Sequence, residues 1–560
     1  MRATVPWYGH LALRPLIDSA INTRAKWHCQ PENERRNPEA PGAAAQHLRC
    51  AIQVSKLGIR TGGSIMLEQE ISAGSRRALQ TGFSCVAAAA LLVACASNPE
   101  PIGAPSGQDR VRVWVTTSDH SKALSQEADA HFGPGERLST TIDVDSAQRY
   151  QQMLGFGAAI TDASAWLIQH RLDEPQRQAL LQDLFGREPG IGLDFTRLTI
   201  GASDFSRQHY SLDDMPAGST DPDLQQFSIA RNLDDVVPVT RAALVVNPQL
   251  KIMASPWSAP AWMKTSGSLI KGTLQETQYD AFARYLVKYV DAYASQGVPI
   301  FALTLQNEPS FEPENYPGMR LSARARADLI GKHLGPMLER HAPGVRILDW
   351  DHNWDLPNEP LAVLADARAA RYVAGIAWHC YGGDVSAQSK VREAAPDKEV
   401  YMTECSGGDW EPVKSGGLTL QARQLIVGTT RHWARGVLFW NLALDETGGP
   451  HAGGCGNCRG VVTIDSRTGM VSRTDDYYAL AHASRFVRPG ASRIASSVES
   501  AELDNVAFLN PDDGSIALVV VNSAVEPRRF TVAAAGRSFD YTLPRKSVAT
   551  FVWHSASDSR

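Results

Sequence analysis

Two glutamates stand where apolar runs break off. Glu308 follows Phe301–Leu305 in FALTLQNEPS, and Glu404 follows Val400–Thr403 in YMTECSGG. A short alternating apolar run reads as a buried strand, and an Asn307-Glu308 pair at its end costs desolvation unless something meets it. Pro309 brings no N–H to a ladder, so the backbone leaves the sheet there. Two carboxyl groups at the ends of different strands, facing one mouth, suit cleavage of a glycosidic bond. One protonates the leaving oxygen as an acid, and the other attacks the anomeric carbon, which in the retaining reaction requires the two groups to lie only about 5–5.5 Å apart. On this reading Glu308 keeps its proton through burial and the nearby charge of Glu404, while Glu404 stays ionised with donors such as Tyr381.

Other polar and aromatic residues fall at the ends of apolar runs. They are Asp162 in ITDASAW, Trp257 in SPWSAPAWMK, His379 and Tyr381 in WHCYGGD, and Trp440 and Asn441 in FWNLALDE. Asn307 is placed to bond a sugar hydroxyl beside the anomeric centre, and Trp257 and Trp440 offer ring faces to a sugar. Each has a structural alternative. Asp162 can be a helix N-cap, the aromatics can be core, and His379 can be a satisfied polar residue at a strand end.

The elements that must hold these residues alternate regularly. Apolar strands are expected at Met153–Phe156, Phe195–Ile200, Leu250–Ser255, Phe301–Leu305, Val345–Trp350, Ile376–His379, Val400–Thr403 and Val437–Trp440. Helical patterns lie between them at Gln176–Phe185, Leu233–Val246, Thr277–Ala294, Ala323–Arg340 and Leu420–Ala434. Strand and helix alternating in this number predict an α/β fold, a (β/α)8 TIM barrel over residues 148–486, with its chemistry at the C-terminal strand ends. An open doubly wound sheet is the alternative, but no Gly-rich phosphate fingerprint opens any of the helices. After a last helix at Tyr477–Phe486, short alternating strands spaced by turns such as Pro511-Asp512-Asp513-Gly514 predict a β-sandwich over 487–560. Extended runs at Arg110–Thr117 and Leu138–Val144 have no neighbours of their own, so residues 110–147 are assigned to the same sandwich. The side domain is then built from both ends of the chain.

The chain has 560 residues and a formal net charge of −5, enough for one large domain and a smaller one. The mild negative charge and the lack of a basic stripe give no case for nucleic acid. Residues 1–65 show no helical or strand period and read as an unstructured upstream extension. From Met66, Arg76 and Arg77 precede ALQTGFSCVAAAALLVA, a run too short to span a bilayer and suited to a secretory signal. Leu92-Val93-Ala94-Cys95 is similar to a bacterial lipoprotein cleavage box, with Cys95 the lipidated first residue and 95–109 a flexible tether. An ordinary signal peptide with a chance cysteine is the alternative. The expected location is therefore exported and membrane-anchored, by the lipid alone. Cys455-Gly456-Asn457-Cys458 has CxxC spacing inside a Gly-rich loop, which favours a local disulfide over redox catalysis. A four-cysteine zinc site with Cys380 and Cys405 is the weaker reading, since no second CxxC is present.

Six motifs together carry a family resemblance: GFGAAITDA, SPWSAPAWMK, LQNEPS, the His379/Tyr381 stretch, the Thr-Glu of YMTEC, and FWNLALDETGGP. From about Gln148 to about Arg493 the chain resembles glycoside hydrolase family 30, whose best known member is lysosomal acid β-glucosidase, or glucosylceramidase. The resemblance implies a retaining enzyme with Glu308 as acid/base and Glu404 as nucleophile. It implies substrate contacts from Asp162, Trp257, Asn307, Tyr381 and Trp440, and no metal or organic cofactor. Two departures bear on substrate. His451–Val461 is Gly-rich and carries CGNC, and Cys380 stands where the lysosomal enzyme has an aromatic; both look more like members that cut β-1,6-glucan. The expected partner is a β-glucoside, glycolipid or β-glucan: a glucosylceramidase-like reading, with a β-1,6-glucanase as alternative. A carbohydrate-binding lipoprotein on a dead barrel is a third reading, and the presence of both glutamates argues against it.

Overall fold

The computed structural model describes residues 26–30, 49–53, 109–134, 137–410, 417–497 and 503–555. The first 98 residues form a unit by themselves, in which Lys26–Gln30 and Arg49–Gln53 pair as an antiparallel ladder. This corrects the expectation of no regular structure across 1–65, since backbone hydrogen bonds can build a ladder where the side chains show no alternating period. The signal segment and Cys95 lie outside the described residues.

Eight parallel strands close into a barrel in chain order. They are β1 (Gly155–Ala159), β2 (Phe195–Ile200), β3 (Lys251–Pro256), β4 (Ala302–Thr304), β5 (Arg346–Asn353), β6 (Val373–His379), β7 (Glu399–Glu404) and β8 (Ala434–Asn441). Phe195, Met253, Ala302, Leu348, Ala377, Tyr401 and Leu438, one from each of β2 to β8, make a single buried cluster, so the lower barrel is a packed core. The first strand runs from Gly155 rather than Met153. The backbone crowds Gly157, where a Cβ would fall 1.7 Å from the Phe195 carbonyl, so glycine permits the contact of β1 with β2. The Ala323–Arg340 pattern is not one regular helix, because Leu329–Leu334 is a π-helical stretch between two α-helical pieces.

The sandwich strands come from both sides of the barrel in sequence. Arg110–Thr117 pairs antiparallel with Ser547–His554, and Thr141–Gln152 lies between Ser492–Ser496 and the parallel strand Arg528–Ala534. Thr141–Gln152 is twelve residues long and leads almost directly into β1. Its own core includes Val113, Ile142, Leu518, Phe530, Phe551 and Trp553. The helix Asp475–Ser484 joins it to the barrel through buried His482, whose two ring nitrogens lie 2.9 Å from the hydroxyls of Thr550 and Thr116. Among the described residues, no helix is long and apolar enough to cross a membrane.

Candidate active site

Strand ends β2 to β7 converge on one buried network of charges. Arg197, in the middle of apolar β2, is fully buried. Its guanidinium donates to Asp351 at 2.7 Å, to Glu404 at 2.5 Å and to the Asn307 carbonyl oxygen at 2.8 Å. Asp351, on β5, also accepts from Ser255, Thr304 and Thr403, at 2.7, 2.8 and 2.7 Å. Burial would raise the Asp351 carboxyl, but Arg197 and the bond from His379 outweigh it and hold the group far below the usual carboxylate range. Asp351 is therefore a fixed negative charge beneath the site.

His379, at the end of β6, stands between the carboxyl groups. Its Nε2 is 3.1 Å from Asp351, and its Nδ1 is 3.1 Å from Glu308 and 3.9 Å from Glu404. Burial opposes a charge on this ring, but Glu404 and the bonds to Asp351 and Glu308 prevail and push it up to about 9. Tyr381, half-exposed at the mouth, donates its hydroxyl to Glu404 at 3.0 Å. Oxygens of Glu308 and Glu404 and a ring nitrogen of His379 all lie within 4.8 Å of one another. Three such groups can hold a metal ion, but the donors do not fit one here. Both nitrogens of His379 face carboxylates and the ring is protonated, so it offers no lone pair.

The structure reverses the expected order of the two glutamates. Burial raises the Glu308 carboxyl, yet the hydrogen bond and charge of His379 bring it below its ordinary value. Glu404 is raised by its burial and by the charge of Glu308, against the pull of His379 and Arg197. The cause is the imidazolium of His379, a charge that motif reading did not count. The network holds Arg197 and His379 against Asp351, Glu308 and Glu404, so one proton on the glutamate pair makes it neutral.

The backbone turns sharply where these groups emerge. Glu308, Trp350 and Asp351 have φ of 49°, 80° and 55°. Such left-handed conformations in non-glycine residues cost on the order of 1–3 kcal/mol each and gather at functional sites. The Glu308 N–H is bonded to the Asp351 carbonyl at 3.0 Å, so the two turns brace each other.

Trp257 and Trp440 are buried and stack on each other at 5.2 Å, with the Arg197 guanidinium 4.8 and 5.4 Å from their rings. Asp162 and Asn441 stand apart from the charge network. Asp162 is the first residue of the helix Asp162–Arg171, and the N-cap is Thr161, whose hydroxyl accepts from the Ser164 N–H. The Asp162 oxygens meet Arg207 and Tyr210, each at 3.3 Å. Asn441 accepts from Thr161 at 2.9 Å, and its buried amide nitrogen finds no partner among the described residues. Motif reading missed Arg197 and Asp351. The visible signal was charge inside a strand, Arg197 in FTRLTI and the two aspartates Asp349 and Asp351 in ILDWDHN.

All four cysteines near the mouth are consumed in two disulfides, Cys380–Cys405 and Cys455–Cys458. Cys455 and Cys458 are joined to each other, as the CxxC spacing suggests, and none of these four cysteines is left as a thiolate for a zinc ion. Cys380 lies between His379 and Tyr381, and Cys405 follows Glu404, so one bridge ties the ends of β6 and β7 together.

Residues 153–487 match the glycosyl hydrolase family 30 TIM-barrel domain, and 490–551 match the glycosyl hydrolase family 30 beta sandwich domain. The chain is 34% identical over 440 residues to an endo-1,6-beta-D-glucanase of Neurospora crassa, covering 76% of this chain and 90% of that protein. It is 30% identical over 481 residues to the lysosomal acid glucosylceramidase of Mus musculus, covering 81% and 91%. The solved structure of an endo-beta1,6-glucanase superposes with a TM-score of 0.74 at 31% identity, covering 80% of this chain and all of that one.

Proposed function

The chain belongs to glycosyl hydrolase family 30 and is a glycoside hydrolase; on that footing we propose that its substrate is β-1,6-linked glucan, cut with retention at the anomeric carbon. The observation that carries the mechanism is the spacing of Glu308 and Glu404, whose oxygens come within 4.8 Å. Retaining enzymes hold the pair about 5–5.5 Å apart, and inverting ones about 6.5–9.5 Å, to leave room for a water. Glu404, held by Arg197 and Tyr381, attacks the anomeric carbon. Glu308 protonates the leaving oxygen, then draws a proton from water to release the sugar. The proton is at hand on His379, 3.1 Å from Glu308. A sugar filling the cleft drives out water, which disfavours the charged His379–Glu308 pair and passes the proton to Glu308. Asn307 accepts from Arg197, which leaves its amide nitrogen to donate to a sugar hydroxyl.

The glucan reading is supported by the glucanase relatives and by the CGNC loop. Glucosylceramide is the second reading, supported by the likeness to the mouse enzyme. The test sets the chain from residue 95, with Cys95→Ser, against β-1,6-glucan and glucosylceramide side by side, with Glu404→Gln as blank. Oligosaccharides from the glucan alone are expected; glucose from the lipid alone would overturn the assignment. We also carry forward export as a lipoprotein anchored through Cys95, supported by the sequence pattern of 66–95. Labelling of cells with a radioactive fatty acid tests it, and retention of label in Cys95→Ser would sink it.

A further inference from the structure

Lys264 ends the SPWSAPAWMK motif, and the mechanism above does not use it. It is 2% exposed. Its Nζ donates to the Ser258 hydroxyl and to the carbonyls of Leu269 and Gly318, each at 2.8 Å. Three hydrogens meeting three oxygens is the full capacity of an ammonium. A neutral amine has one hydrogen fewer and would turn a lone pair on one of those oxygens. All three partners are neutral, and a buried charge held by neutral oxygens alone is costly to keep.

The oxygens belong to two loops beside the site. Ser258 follows Trp257 after β3, and Leu269 lies further along the same loop. Gly318 lies in the loop after β4, which starts from Glu308 and carries Tyr316. Tyr316 packs against the cluster of Trp257 and Trp440, and both Glu308 and Glu404 act on its phenol. The loops interlock: Gly318 N–H donates to the Leu269 carbonyl at 3.0 Å, and Arg320 N–H to that of Gly272 at 2.9 Å. Leu321 N–H then returns to the Pro309 carbonyl at 2.9 Å, next to Glu308.

We propose that Lys264 is a positioning residue whose ammonium locks the loops after β3 and β4 together beside the substrate, and that loss of its proton slackens that side of the cleft. The proposal rests on the β-glucoside reading and adds to it a group outside the reaction path. Burial pushes the amine down to about 7, against the pull of Glu312 on the β4 loop. The other charges on the two loops are taken up by each other, Arg320 with Glu312 at 3.0 Å and Lys271 with Glu314 at 2.6 Å.

The experiment compares the chain from residue 95 with its Lys264→Met variant on gentiotriose, the β-1,6-linked trisaccharide, from pH 5.5 to 9. Methionine keeps the length of the side chain and removes the donors. The parent KM should rise about tenfold across a step near pH 7, the size of one lost hydrogen bond, with kcat changing less. In Lys264→Met the KM should already be high at pH 6 and the step absent, while any later fall in kcat near pH 9, where His379 titrates, persists. A generally disturbed fold would not erase one step and leave the other. The same KM step in parent and variant would overturn the proposal. Hydrogen exchange read by mass spectrometry follows the lock without turnover. After correction for the intrinsic rise with pH, amides of 265–274 and 309–321 in the parent should exchange about tenfold faster at pH 8.5 than at pH 6. This needs no variant to fold, and unchanged exchange counts against the proposal. If the parent hydrolyses no β-glucoside, the functional reading fails, and faster exchange confined to these two loops still supports Lys264.

Discussion

Arg197 and Asp351 lie 2.7 Å apart with no exposed surface on either side chain, and both Glu308 and Glu404 are positioned from this pair. The ion pair is a scaffold for the site, because each member also holds neutral donors or acceptors from neighbouring strands. Removing one partner of a buried pair leaves the other charge uncompensated, at about 3–5 kcal/mol. Asp351→Asn should therefore lower stability by that amount in urea unfolding and abolish activity. A variant as stable as the parent would show that Arg197 finds another counterion.

The stereochemistry is readable directly. Proton NMR of the first turnovers should show the β-anomer released from a β-linked substrate, as double displacement through Glu404 demands. First appearance of the α-anomer would exclude the mechanism. Glu308→Gln should cost about 10²–10⁴-fold in rate, the range of general acid–base catalysis. The loss should be greatest for leaving groups that need protonation.

Stability should peak near neutral pH, for reasons found in two histidines. His379 is raised from 6.5 to about 9, so between those values the folded chain binds more protons than the unfolded one. Its contribution is whole below 6.5 and is lost as pH rises to 9. His482 runs the other way, since burial lowers it to about 3. Between 6.5 and 3 the unfolded chain binds the extra proton, and stability falls with pH. Thermal midpoints across pH 4–9 check both limbs, and His482→Asn should flatten the acid one alone.

The Cys380–Cys405 bridge spans 25 residues, and closing a loop of that order contributes about 3 kcal/mol by restricting the unfolded chain. Cys380→Ser with Cys405→Ser should lower the thermal midpoint. It should also reduce turnover more than substrate affinity, because the bridge holds the ends of β6 and β7, where Tyr381 meets Glu404. Unchanged turnover would mean that the strands alone fix that hydrogen bond.

The fold was legible because strand and helix periods alternate cleanly from Phe156 to Trp440. The eight strands stand within a few residues of their expected places. The glutamate pair was legible because each carboxyl ends an apolar run. The charges beneath them were not, since Arg197 and Asp351 sit inside strands, where polarity looks like a break in the pattern. Nor was the direction of the Glu308 and Glu404 shifts, which depends on how near His379 comes to each.

Arg110–Thr117 pairs on one side with the nearby short strands Ser125–Gln126 and Ala130–His131, but on the other with Ser547–His554, made far later. A ribosome or a secretion channel delivers Arg110–Thr117 and Ser547–His554 some 430 positions apart, and loop closure over that span is slow. Until Ser547–His554 emerges, the first strand keeps one edge open. A prematurely terminated product would thus carry a complete barrel sequence with an unfinished side domain, an obvious target for proteolysis. Burial of that edge therefore waits on Ser547–His554, so this eight-residue strand acts as a checkpoint that any product cut short before it fails.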